Sequence, residues 1–140
     1  MSKKKSTRAA LFALAILLSI SIFVPTASAR GSIYILTCSA GMVAGSGGNV
    51  TASFSITGSG TMDQIGAITV YMYEGSTLVK TFSHTTTSGM MASNTGFHTS
   101  SVTYTGTVGK TYNACVVFQA GKNGGWDNRS ITTSSVTAKN

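Results

Sequence analysis

The sequence predicts an all-β domain, a two-sheet sandwich of about seven antiparallel strands. Three observations carry that prediction. Thr, Ser, Gly and Val dominate the chain after residue 30, and Thr and Val are stiff at the first side-chain torsion and suit strands. Apolar and hydroxyl residues alternate with period two in several stretches, with no sustained helical period. Glycine-rich breaks separate those stretches at near-regular spacing.

The strands follow in order: 33–43, 49–57, 64–73, 77–83, 98–106, 111–119 and 129–138. The clearest alternation is Val50, Ala52, Phe54 and Ile56 against Thr51, Ser53, Ser55 and Thr57. The apolar set would face a core, and the hydroxyls water. Gly45-Ser46-Gly47-Gly48 ends the first strand region, and Gly58-Ser59-Gly60 the second. Ile68, Val70 and Met72 alternate with Thr69, Tyr71 and Tyr73. Glu74-Gly75-Ser76 fits a tight hairpin, because Gly tolerates positive φ. Residues 84–97 read as a hydroxyl-rich connection with room for one short edge strand. In it Met90-Met91 is core or edge filler, and His84 and His98, which bracket it, are solvated or cross-strand. Val102 and Tyr104 alternate with Ser101 and Thr103. Val108-Gly109-Lys110 then turns into a strand whose inner face is Tyr112, Ala114, Val116 and Phe118. Gly121-Lys122-Asn123-Gly124-Gly125 opens a long turn before the last strand.

The closing half, Tyr112 to Phe118, a Gly-rich turn, then Ser130-Ile131 and Val136, resembles the last hairpin of an immunoglobulin or fibronectin type III domain. The resemblance implies that Tyr112 is a corner residue whose hydroxyl bonds nearby backbone, and that the whole is an immunoglobulin-like sandwich. It covers about thirty residues, and no Trp stands in the third strand. With its Cys-Ser-Ala start and Gly-Ser-Gly turn, the chain is also similar to small secreted proteins of Gram-positive bacteria that have no established function.

Residues 1–29 read as a cleaved secretory signal. Lys3, Lys4, Lys5 and Arg8 precede an apolar run from Ala9 to Val24, Pro25 breaks it, and Ala27-Ser28-Ala29 supplies the small residues a signal peptidase reads. The expected domain is 30–140, secreted and extracellular, without a stable membrane anchor after cleavage. The export signal also explains most of the +7 formal charge. The remainder keeps six positives (Arg30, Lys80, Lys110, Lys122, Arg129, Lys139) against Asp63, Glu74 and Asp127, a net +3. Those positives are scattered, whereas a nucleic-acid binder shows a basic stripe.

Two cysteines in an exported domain, Cys38 and Cys115, are a candidate disulfide. Parity opposes it, since Cys115 points outward if its even-numbered neighbours point inward, and two free thiols are the alternative. For catalysis the inventory is thin. Asp63, Glu74 and Asp127 fall in three separate turns, and no nucleophile elbow, phosphate loop or metal-ligand spacing occurs. No catalytic residue, cofactor or metal is therefore assigned, and the protein is not read as an enzyme. The expected function is a binding or adhesion-type module for a protein or glycan at the cell surface. An antimicrobial or toxin-like protein is the alternative. Trp126, Asp127, Asn128 and Arg129 are the candidate binding residues: the chain's single Trp beside an acid, an amide and a base suits an interface or a sugar. The competing role for Trp126 is to fold back over the end of the sandwich. Tyr71 and Tyr73 are either a binding stripe or cross-strand stiffeners.

Overall fold

The computed structural model describes residues 32–140. The signal-peptide reading of 1–29 and the start at Arg30 lie outside the described residues. The elements are β1 (Ile35–Ala44), a short 3-10 turn (Ser46–Gly48), β2 (Asn49–Glu74), β3 (Thr77–Ser83), β4 (Met91–Thr105), β5 (Thr111–Lys122), β6 (Gly125–Thr132) and β7 (Val136–Thr137). All pairings are antiparallel.

The strands form a single curled seven-stranded sheet. The separate strands anticipated at 49–57 and 64–73 are one strand, the 26-residue β2. Its first half lies between β1 and β4, and its second half between β5 and β3. Gly58-Ser59-Gly60 does not reverse the chain. Thr57 pairs with Phe97 and Met62 with Thr95, so residues 58–61 of β2 oppose Gly96 alone. That is a large bulge, which bends a strand without ending it. Gly96 is required there, because a Cβ would stand 2.9 Å from the Gly60 carbonyl oxygen. Of the glycines read as a turn signal, Gly58 leaves room for the Met62 side chain and the Gly60 carbonyl oxygen, 2.9 and 3.0 Å from where its Cβ would stand, whereas Gly60 faces open space.

The bend brings two walls onto one core. Val50, Ala52, Phe54 and Ile56 line the first wall, and Val70, Met72, Ala114, Val116 and Phe118 the second. Phe54 and Phe118 meet edge to face with centroids 6.1 Å apart. Ile68 departs from the expected pattern. A second bulge between Ala67 and Thr69 relative to β5 shifts the parity, so Ala67 is fully buried and Ile68 is not. Met90 fills the core from the connection ahead of β4. β4 itself is longer than anticipated, since the hydroxyl-rich stretch from Met91 onward pairs with β2.

The end of the chain differs too. The long turn anticipated at 121–125 is a two-residue turn, with Lys122 paired to Gly125. Asn123 and Gly124 have φ of 52° and 79°, as the two positions of a type I′ hairpin require. The chain therefore re-enters the sheet at Gly125, and residues 133–135 separate β6 from the two-residue β7.

Candidate functional site

Tyr112 and the three carboxylates hold the sheet together. Tyr112 is 1% exposed, in tilted contact with Tyr104. Its Oη accepts from the Thr107 N–H at 2.8 Å, and its O–H donates to Glu74 Oε1 at 2.7 Å. The hydroxyl ties the turn before β5 to the end of β2. Tyr112→Phe keeps the ring and strands both partners, so we expect a loss of about 1–3 kcal/mol of stability, seen as a lower denaturation midpoint.

All three carboxylates of the chain accept structural hydrogen bonds. Glu74 serves Tyr112. Asp63, beside the bulge of β2, accepts from the Asn123 N–H at 2.8 Å and fastens the β5–β6 hairpin. Asp127 Oδ2 accepts from the Tyr34 N–H at 2.6 Å and from Ser32 Oγ at 2.8 Å. Ser32 Oγ in turn accepts from the Ile35 N–H. β1 and β6 stand at opposite ends of the strand order, so Asp127 clasps the two ends of the curled sheet. The Tyr34 N–H holds its carboxyl below the usual carboxylate range. Partial burial opposes that, and the Ser32 hydroxyl and the Arg129 charge assist it.

The four candidate binding residues thus lie on a strand, not in a turn, and they do not form one surface. Adjacent strand residues point to opposite faces. Asp127 and Arg129 pair with Ala120 and Phe118, whose side chains point to the core. Trp126 and Asn128 pair with Gly121 and Gln119 on the outer face. There the indole occupies the space a side chain at 121 would fill, and it stays 50% exposed. It does not fold back over the end of the core. Beside it, Gln119 Nε2 donates to Asn128 Oδ1 at 3.0 Å. The outer face of the hairpin is an aromatic plate next to a paired amide. Gln119 and Gly121 are absent from the sequence-derived set, although the Asn123-Gly124 turn signal fixes the register that places them opposite Asn128 and Trp126.

The candidate disulfide is absent: Cys38 and Cys115 are free thiols. Cys38 pairs with the buried Ile56 and packs toward the core from the first wall. Cys115 sits between the buried Ala114 and Val116 on the second wall, so it points outward. Side chains on opposite faces of the layer cannot meet. Alkylation in denaturant without reductant is expected to add two labels per chain.

Outside the hairpin, a shallow concavity of about 370 Å³ lies on the first wall, lined by Ser39, Gly41, Ser53, Ser55 and Thr99 among others. It holds no titratable group. Cross-strand hydroxyl pairs cover this wall, Ser39 with Ser55 at 2.8 Å and Thr51 with Thr103 at 2.9 Å. Tyr71 stands opposite Cys115, and Tyr73 opposite Asn113, so neither faces another aromatic across the β2–β5 ladder. His98 Nε2 bonds the Gly89 carbonyl at 2.7 Å. Among the described residues, no group of three or more His, Cys, Asp or Glu side chains could hold a metal ion. Nor is any helix there long and apolar enough to cross a membrane. No family model, curated protein or solved structure matches the chain.

Proposed function

We propose that this is a secreted, non-enzymatic binding module that holds a cell-surface glycan on the outer face of its β5–β6 hairpin. The observation that carries this reading is Trp126, half exposed and seated on Gly121 beside the Gln119–Asn128 amide pair. A sugar ring has an apolar face that stacks on an aromatic plate, and hydroxyls that exchange hydrogen bonds with amides. The hairpin is already rigid, so little ordering entropy opposes binding. Asp63 fixes its turn, and Asp127 fixes its strand to the segment leading into β1. In this reading the two walls joined by β2 are a variant of the immunoglobulin-like sandwich, and the export signal delivers the domain outside the cell.

The test is retention of the protein on chitin, cellulose and purified peptidoglycan, with Trp emission as a second readout. Trp126 is the chain's only tryptophan, so a blue shift on adding soluble fragments of the retained polymer reports the site directly. Trp126→Ala is expected to weaken binding by ~2 kcal/mol or more while changing stability by about 1 kcal/mol or less. Equal retention of wild type and Trp126→Ala, or no retention on any of the three polymers, would remove this reading.

A further inference from the structure

The charges of this domain are segregated along the chain and therefore in the fold. Residues 32–62 and 81–109 contain no Asp, Glu, Lys or Arg. Those two stretches supply all of β1, all of β4 and the first half of β2. The first wall is thus free of formal charge, whereas a surface is ordinarily about a quarter charged.

β4 is an edge of that wall. Its ladder runs to β2 alone, and among the described residues no backbone group of 99–105 has a backbone partner elsewhere. Proteins protect such edges with Lys, with Pro, with very short strands or with a covering element. Among the described residues, β4 has none of these over 99–105. It is 15 residues long in all, it carries no Lys or Pro, and its exposed outer positions there are Thr99, Ser101, Thr103 and Thr105. Val102 and Tyr104 on the other face complete a stretch rich in strand-forming side chains. The other edge of the wall differs, because β1 lies against β5, β6 and β7 and its lead-in is clasped by Asp127.

We propose that the 99–105 edge of β4 pairs antiparallel with the same edge of a second copy of this chain, about a twofold axis. Antiparallel pairing makes the segment its own complement, as a twofold interface demands. Two uncharged walls bring no like charges together, so nothing in this region resists the approach. The product is a continuous six-stranded wall whose strands run β1-β2-β4-β4-β2-β1. The pairing is independent of the glycan reading. Should both hold, each dimer carries two Trp126 plates and binds a polymer with avidity.

Sedimentation equilibrium of the purified protein tests this. A reversible monomer–dimer equilibrium is expected, and Ser101→Lys/Thr103→Lys should raise its dissociation constant about 100-fold or more, by setting like charges face to face across the new ladder. Ser53→Lys places a charge on the same wall but on the central strand, and should leave the dimer intact. Amide hydrogen exchange of the unaltered protein supplies a readout that does not depend on the variants folding: alternate amides within 99–105 should lose protection on dilution. A monomer at all concentrations, a dimer that the double lysine variant retains, or protection in 99–105 that ignores dilution would each overturn the proposal.

Discussion

Phe118→Ala is expected to destabilise the domain by about 3–5 kcal/mol, the largest effect of any substitution considered for this chain. Phe118 is fully buried and stands where the two walls meet, edge to face with Phe54. Truncation removes buried apolar area and leaves a cavity that the flanking strands cannot close without breaking the β5–β6 and β2–β5 ladders. Urea denaturation measures it. A double-mutant cycle with Phe54→Ala should return a coupling of about 0.5–1.5 kcal/mol, the value of an aromatic pair beyond its area. Strict additivity would mean that the halves of β2 do not share a core, and with it the curled sheet would be wrong.

Asp127→Ala is expected to cost about 2–3 kcal/mol, because two hydrogen bonds to a charged acceptor are lost and the Tyr34 N–H is left without its partner. The loss should also be local. β1 and β6 are joined through this carboxylate, so amide exchange near Tyr34 and Ile35 should rise before the rest of the sheet opens. The contribution depends on pH with a definite sign. The folded carboxyl titrates below its unfolded value of about 3.9, so the stabilisation is complete above that pH and is lost as acid carries the solution down through the folded value. Asp127→Asn should therefore lower stability at neutral pH and flatten the fall in stability below about pH 4. An acid limb identical in wild type and Asp127→Asn would show that the carboxylate does not act as the clasp.

The parts legible in the sequence are those governed by short-range rules. Period-two alternation identifies Val50, Ala52, Phe54 and Ile56 as one buried face and Tyr112, Ala114, Val116 and Phe118 as another, because a strand's side chains alternate whatever it packs against. The Glu74-Gly75-Ser76 turn is legible for the same reason: the hairpin closes on Thr77, with Gly75 at φ 59°. Cysteine parity is a local argument as well, and it outweighs the composition argument for a bridge.

Whether a glycine ends a strand or bends it is decided at long range. Gly58-Ser59-Gly60 has the composition of a turn, yet the stretch stays in the ladder because Gly96, far along the chain, lets β4 back against it. On the other side Gly58 pairs with Ile35 and the Ser59 N–H bonds the Tyr34 carbonyl, so the two expected strands run on as β2 and the two expected sheets are one curled sheet. The candidate binding residues follow the same logic. Composition picks out Trp126, Asp127, Asn128 and Arg129 as a cluster, but a strand divides neighbours between its faces. Asp127 goes to the clasp, and Trp126 and Asn128 go to the outer face with Gln119 and Gly121. Local alternation thus determined which residues are inside along unbroken runs such as 50–56 and 112–118, but not at Ile68, where a bulge shifts the parity. Only the tertiary structure decided which strands share a core and which polar side chains are taken up in holding the fold, because hydrogen bonds between distant segments, such as Asp127 to Tyr34 and Asp63 to Asn123, leave no periodic trace in the sequence.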